Sequence, residues 1–478
     1  RRFVLPPQAF DRATALLLEQ GARFVTVHAI GDDPISAVAV LALRGELIVL
    51  RAPLRVENPT YPSLSLVTEA AILPERELHD VHGVLPLGHP DLEPLVRPDP
   101  DRLRRRVSGD EVFTIPYGPI RSGVFESIQY VIETAGEDVL ALETRPLFKR
   151  RGLERRFEGL SPEQGVRLAE RVAGIAGVAH AIAFAEAVER ALGVEPPAAA
   201  HLWRVVHAEL ERIANHFDVA AKLAEDAALA VGAARFAILK EDVMRLRAAL
   251  CGSRFGRGVV VPGGVTAPTA IGTGGPRRAL DTLERDVRRD RRLLLRTTSF
   301  TDRLIGSGTL DRATTDALGA VGPVARAAGS ATDARFERPY GGYRRLGFEV
   351  ATALDGDAMA RLQVRFAEIT QSLHLIRQAL DGIGRVDGAL TAASPPRRER
   401  PAQAPEDGVT GAYGWVEAPQ GELVYDVRLR ASQVSAVRIA SPSLRNWPLF
   451  TAAFRGDVLT DFSFIEHSFG LTPAGADR

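Results

Sequence analysis

Apolar residues return at helical spacing in two long stretches of the chain. Over 198–230 the stripe is Leu202, Val205, Val206, Leu210, Ile213 and Phe217, and over 358–383 it is Leu362, Phe366, Ile369, Leu373, Ile376 and Leu380. Such a period predicts amphipathic helices packed on a core. Shorter helices are predicted over 7–21, where Phe10, Leu16, Leu17 and Leu18 make a small apolar face, and over 237–250. Another is predicted over 278–304, where dense charge implies a solvated face. Ser161-Pro162-Glu163 reads as a helix start, with a capping hydroxyl, proline at the first turn and an acidic residue after it. The stretch 171–189 reads as a helix of unusually small residues, with Ala173 and Ala176 three apart on one face.

Alternating, β-rich segments fill the N-terminal part: 24–30, 37–43, and 46–50 after an Arg44-Gly45 turn. Strands are also predicted at 111–120 and 138–144, and a hairpin-like element at 413–429. The pattern is α+β, with antiparallel hairpins early and long helices later. A proline- and charge-rich stretch, 98–110, reads as a linker between domains at 1–97 and 111–478, and the Pro/Ala/Arg-rich 391–408 as a mobile loop. There is no internal repeat. Gly272-Thr-Gly274-Gly-Pro-Arg277 places arginine where a dinucleotide fingerprint needs its third glycine, so no Rossmann site is assigned.

Composition narrows the function. The formal net charge is zero over 478 residues, which gives no global attraction to nucleic acid or anionic lipid. Lys149, Lys222 and Lys240 are the only lysines among 60 basic residues, an excess of arginine that points to coding bias. The single cysteine, Cys251, excludes an intrachain disulfide and a cysteine cluster, and suits a reducing, cytoplasmic setting. No signal peptide is expected. The longest charge-free apolar run, 172–185, is shorter than the roughly 20 residues of a membrane span, so other chains are expected to anchor this one. His79 and His82 are read as the last turn of a helix stopped by Gly83, in preference to metal ligands.

The string Glu75-Arg-Glu-Leu-His-Asp80, with Gly83 and Gly88-His-Pro-Asp-Leu92, resembles the signature of the small peripheral subunit of respiratory complex I. That resemblance implies an α+β docking domain without a cofactor. Gly118-Pro-Ile-Arg-Ser-Gly123 and Arg151-Gly-Leu-Glu154 are similar to the entry of the large subunit shared by nickel–iron hydrogenases and complex I. Val261-Pro-Gly-Gly-Val265, Arg338-Pro-Tyr-Gly-Gly-Tyr343 and Gln371-Ser-Leu-His-Leu-Ile-Arg377 match further segments on the complex I side. The fold implied is a docking domain followed by a mainly helical, hydrogenase large-subunit-like domain with small β elements.

Arg171-Val-Ala-Gly-Ile-Ala-Gly-Val-Ala-His180 resembles the first metal motif of the hydrogenases, Arg-x-Cys-Gly-x-Cys-Gly-x-Ala-His, with both cysteines replaced by alanine. Alignment on Asp477-Arg478 puts Thr472 and Gly475 at the second pair. Soft thiolates suit nickel and low-spin iron in a way alanine, threonine and glycine do not, so no metal is expected at Ala173, Ala176, Thr472 and Gly475. The chain stops at Asp477-Arg478, the complex I manner of ending.

The resemblance further implies an electron-acceptor cavity or proton path built from Arg121, Glu154, His180 and Asp226. Arg121 stands where the family's quinone-facing histidine lies, and Gly174 where its tyrosine lies. An arginine there binds an anion or carboxylate, or fills space through a salt bridge. Glu209 and Arg212, three apart, form either a surface ion pair or part of a buried network with His216. The chain itself is expected to bind no cofactor. An iron–sulfur cluster is expected in an adjacent small subunit, membrane-arm subunits as further partners, and quinone as a possible acceptor. The implied place is the cytoplasmic face of the cell membrane. A redox-complex subunit and a structural scaffold descended from a hydrogenase both fit.

Overall fold

The structure, a computed structural model, describes residues 1–31, 35–121, 127–268, 274–386, 388–392 and 408–478. The N-terminal sheet has the order Arg2–Val4, Glu46–Pro53, Ser36–Leu43, Arg23–Ile30, with the outer pair 2–4/46–53 parallel and the rest antiparallel. Arg44 and Gly45, both at positive φ, make the turn predicted between the central strands, and a Cβ on Gly45 would fall 2.5 Å from the Glu337 carbonyl oxygen. The central strand Ser36–Leu43 is apolar nearly throughout, and the two-residue period divides its side chains between two cores. Ala37, Ala39 and Leu41 pack with Phe10 and Leu78 of the N-terminal helices. Val38, Val40 and Ala42 join the main core of the helical domain.

The motif at 75–80 holds this part together residue by residue. Buried Glu75 accepts from Tyr61 Oη at 2.9 Å, Ser63 Oγ at 2.6 Å, and the Leu64 and Ser65 amides at 2.7 and 3.1 Å. Arg76 donates to the Glu93 carbonyl, and Asp80 accepts from the Leu95 and Val96 amides. The helix Ile72–His82 stops at Gly83, φ +66°, as predicted from His79, His82 and Gly83.

A second sheet, Phe113–Tyr117, Gln129–Thr134 and Val139–Arg145, is antiparallel throughout. Its central strand lies outside the strands predicted at 111–120 and 138–144, and it carries the polar residues Gln129, Glu133 and Thr134. Those side chains are nonetheless buried, and Glu133 accepts from the Arg106 and Val107 amides at 2.6 Å each.

The helical domain is built on Ala198–Asp226, Ala230–Cys251 and Ala358–Ile383, the last with the predicted bounds. The helix predicted over 198–230 ends at Asp226, and the charged one predicted over 278–304 runs Gly274–Leu295 with a separate turn at Thr298–Thr301. The C-terminal hairpin is a three-stranded sheet, Val409–Ala418, Gly421–Arg430 and Gln433–Ala440. Helix Gly177–Leu192 lies on it so closely that a Cβ on Gly414 would sit 1.7 Å from the Ala183 carbonyl oxygen. That approach explains the run of small residues in the helix.

The helix begins at Gly177, not at 171. Ala173 is extended and Gly174–Ala176 is a single tight turn, so Ala173 and Ala176 do not share a helix face. The start is fixed from outside the segment: Glu211 accepts from the Val178 and Ala179 amides at 2.8 and 2.9 Å. Among the described residues no single helix is long and apolar enough to cross a membrane. The predicted loop at 391–408 falls mostly outside the described residues, as do Gly272, Thr273 and the Ser122-Gly123 end of the early turn.

The Glu209–Arg212 pair is buried. Arg212 Nε meets Glu209 at 3.2 Å, Arg335 meets Glu209 at 3.1 Å, and Arg212 also donates to the Glu417 and Ala418 carbonyls. Arg326 continues the network to Glu368 and Glu417, and His216 Nε2 lies 2.8 Å from Glu368. Ion pairs therefore tie four helices, Ala198–Asp226, Gly322–Ala327, Ala334–Glu337 and Ala358–Ile383, to the C-terminal sheet.

A related junction gives a pH prediction. Glu422 bonds Arg23 of the N-terminal sheet at 2.7 Å, and Arg445 and the Trp415 indole also donate to it. Burial pushes its carboxyl up, but Arg23 and Arg445 outweigh that and bring it to about 2 from an ordinary 4.5. A depressed carboxylate stabilises the fold fully above the unfolded value and loses that contribution as pH falls through the folded one. Glu422→Gln is expected to cost roughly 3 kcal/mol at neutral pH. Denaturant titrations should show the gap from wild type closing between pH 4.5 and pH 2.

Candidate functional site

The segments 171–177 and 472–477, whose sequences resemble the hydrogenase metal motifs, meet around one side chain. Arg151 follows the second sheet, and its guanidinium reaches the Arg171 and Val172 carbonyls on one side and those of Ala474 and Asp477 on the other. Its own amide donates to the Asp477 carbonyl at 3.0 Å. Ala173 and Ala176 are buried beside the first segment. In the second, the Thr472 amide donates to Ser443 Oγ at 3.3 Å, and a Cβ on Gly475 would meet Ser441 Oγ and Ser443 Oγ at 3.1 Å. Four carbonyl oxygens here accept from one guanidinium, and the Ser441 and Ser443 hydroxyls lie against Gly475. Among the described residues no three His, Cys, Asp or Glu side chains converge on a metal position.

Glu154 and His180 sit close to this junction. Glu154 Oε1 accepts from the Ile439 amide at 2.9 Å and from Arg478 Nε at 3.2 Å. Burial works against its charge, but Arg478, Arg438 and Arg150 hold the carboxyl below the usual range. His180 Nδ1 lies 2.7 Å from the Tyr425 hydroxyl, and burial together with Arg151 and Arg478 pushes the imidazole down to about 3. At neutral pH the first is a fixed anion and the second a neutral ring.

Arg121 and Asp226 belong to a second cluster, organised by the short helix Phe462–Phe469. Glu466 takes the Arg121 guanidinium in a two-pronged pair, with Nη1 to Oε2 at 3.0 Å. The guanidinium also lies 4.9 Å from the Tyr117 ring centroid and 5.2 Å from that of Tyr130, whose hydroxyl donates to Glu466 at 2.7 Å. The next residue, His467, places Nδ1 2.6 Å from Asp226 Oδ2, at the end of the long helix Ala198–Asp226. The third, Ser468, accepts from Arg361 Nε at 2.9 Å. Gly470, at φ +64°, then turns the chain into 472–475.

The sequence-predicted residues thus form two groups: Glu154 with His180, and Arg121 with Asp226. Sequence reasoning missed Glu466, His467 and Arg151's cross-link. A signal for the first two existed: three adjacent polar residues interrupt the apolar series Phe462, Phe464, Ile465 and Phe469. Gly174 is exposed, and a side chain there would meet no atom within 4 Å. A tyrosine at that position is therefore not excluded by packing. A cleft of about 520 Å³ lies elsewhere, at the edge of the N-terminal sheet, lined by Arg23, Arg44, Thr68, Arg312 and Thr315.

The family model of the respiratory-chain NADH dehydrogenase 49 kDa subunit matches residues 232–478. That of the 30 kDa subunit matches 4–105, and that of nickel-dependent hydrogenases matches 151–218. Formate hydrogenlyase subunit 5 of Escherichia coli (strain K12) is 28% identical over 90% of this chain and 79% of its own length. The C/D protein of the NADH-quinone oxidoreductase of Gluconacetobacter diazotrophicus is 27% identical over 91% and 82% respectively. A chain of the membrane-bound sulfane sulfur reductase, an archaeal respiratory membrane complex, superimposes with a TM-score of 0.70 at 25% identity, covering 77% of this chain and 98% of that one.

Proposed function

Because the chain belongs to the family of the respiratory-chain NADH dehydrogenase 49 kDa subunit, with a 30 kDa-subunit-like part before it, we propose that it is a peripheral-arm subunit of a membrane-attached, complex I-related redox complex. In this reading it lines an electron-acceptor site beside an iron–sulfur cluster held by a small partner subunit, on the cytoplasmic face of the membrane. The observation that carries it is the pairing of Arg121 with Glu466 and of Asp226 with His467 on one short helix. Two ionisable pairs on adjacent residues can hold charge and move a proton beside an acceptor as it is reduced. Relatives from a C/D-type quinone reductase and from respiratory membrane complexes support the assembly. So does the exposed apolar surface of the outer strand, where Phe113 is 65% exposed and Ile120 beyond it 90%.

The donor set does not fit a nickel–iron centre. Ala173, Ala176, Thr472 and Gly475 offer no thiolate, and the Arg151 cation lies between their segments. Elemental analysis of the purified complex is expected to give far less than one nickel per chain, with no hydrogen uptake or evolution. About one nickel per chain would overturn this. The usual quinone partners are also replaced, by Gly174 and Arg121, so an acceptor other than an ordinary quinone headgroup fits equally.

A second reading, a scaffold without a redox role, draws on the same salt bridge, since the Arg121 guanidinium is already taken up by Glu466. The assembly itself is tested by purifying the tagged chain from membranes. A small iron–sulfur subunit and membrane subunits should accompany it. A solitary, monodisperse chain would count against both readings.

A further inference from the structure

We propose that a small cavity between the N-terminal sheet and the C-terminal segment binds a monovalent anion of halide size. The cavity measures about 30 Å³ and is lined by His28, His82, Arg150, Arg438 and Arg478, together with Glu77 and Glu154. A space of that size holds about one or two particles the size of water.

Charge decides what kind. Both carboxylates are committed to one guanidinium: Arg478 Nη2 donates to Glu77 at 2.8 Å and its Nε to Glu154 at 3.2 Å. Arg438 spends its hydrogen bonds on the Ala29 and Val437 carbonyls. Arg150 Nη1 forms a loose ion pair with Glu77 at 3.6 Å, beyond hydrogen-bond range, and this buried atom has no hydrogen-bond acceptor. His28 turns its Nε2 to Asp426, which is itself paired with Arg428. His82 is held neutral at pH 7, pushed down to about 4 by burial and by Arg438. Three guanidinium side chains therefore face two carboxylate side chains in a part-buried cavity, and Arg150 Nη1 keeps no hydrogen-bond acceptor there. A bound anion accepts from that free N–H and balances the surplus of guanidiniums at once, whereas a water molecule does only the first.

The site is assembled from both parts of the chain. His28, Glu77 and His82 come from the N-terminal sheet and helix, whereas Arg150, Glu154, Arg438 and Arg478 come from the helical domain and its C-terminal segment. Occupancy therefore strengthens the junction between the two.

The test uses the full chain at constant ionic strength, with gluconate exchanged stepwise for bromide. The melting temperature is expected to rise with the logarithm of bromide concentration. Crystals grown in bromide should show an anomalous peak beside Arg150 and Arg438. Glu77→Gln removes a negative charge and should lower half-saturating bromide roughly tenfold or more, even as it weakens the junction. Arg150→Met should abolish the response. Identical melting in bromide and gluconate, or an anomalous map with no peak in the cavity, would overturn the proposal in the wild-type chain, whether or not the variants fold.

Discussion

Asp226→Asn is expected to lower turnover of the assembled complex roughly 100-fold while the set of subunits it contains stays unchanged. Asparagine keeps the size and can still accept from His467 Nδ1, which lies 2.6 Å from the carboxylate. What it loses is the negative charge and the ability to take up a proton. Arg121→Ala should act in the same direction for a different reason. It leaves Glu466, with its Tyr130 bond, facing a part-buried site without its guanidinium. Arg121→Lys keeps the charge but not the two-pronged geometry or the stacking on Tyr117 and Tyr130, so it should recover only part of the activity. The readout is turnover with the native donor, measured beside the inventory of subunits and a pH profile. A shifted profile in Asp226→Asn marks a proton role. Wild-type turnover in Asp226→Asn and Arg121→Ala, with changes in stability alone, would instead establish the scaffold reading.

Arg151→Leu should have the second large effect, on stability. The guanidinium is the shared donor for carbonyls at 171, 172, 474 and 477, so a leucine leaves those groups short of partners in a part-buried place. At about 1–3 kcal/mol for each group left unsatisfied, and with water reaching some of them, a loss of about 3–6 kcal/mol is expected. That corresponds to a fall of roughly 3–6 °C in melting temperature for a chain of this length. Lysine carries the charge but cannot span both segments, so Arg151→Lys should restore only part of it. Hydrogen exchange should localise the change to the amides of 171–177 and 472–478. An unaltered melting temperature in Arg151→Leu would show that the two segments are held by their surroundings instead.

Much of the architecture was legible in the chain because it rests on interactions between near neighbours. The stripe from Leu362 to Leu380 defined a helix whose bounds the structure reproduces, and Gly83 marked a helix end that no side chain with a Cβ takes easily. The strands at 24–30 and 37–43 and the turn at Arg44-Gly45 followed from alternation and turn chemistry. That Ala173, Ala176, Thr472 and Gly475 carry no thiol is read directly from the sequence; setting them at metal-ligand positions rests on the resemblance of the flanking motifs.

Other features depended on groups far apart in the chain. The helix predicted from 171 starts at Gly177 because Glu211, 33 residues beyond Val178, caps it. Glu209 and Arg212 satisfy the spacing of a surface pair equally well, and only the arrival of Arg335, Tyr343 and Ser372 makes the site a buried network. Arg121 gave no hint of Glu466, 345 residues away, nor did Arg151 of the Ala474 and Asp477 carbonyls. Periodicity, caps and turn residues act over a few positions and so are written locally. A charge shielded from water must instead find its partner wherever the topology delivers one, and that choice is made only when the chain has folded.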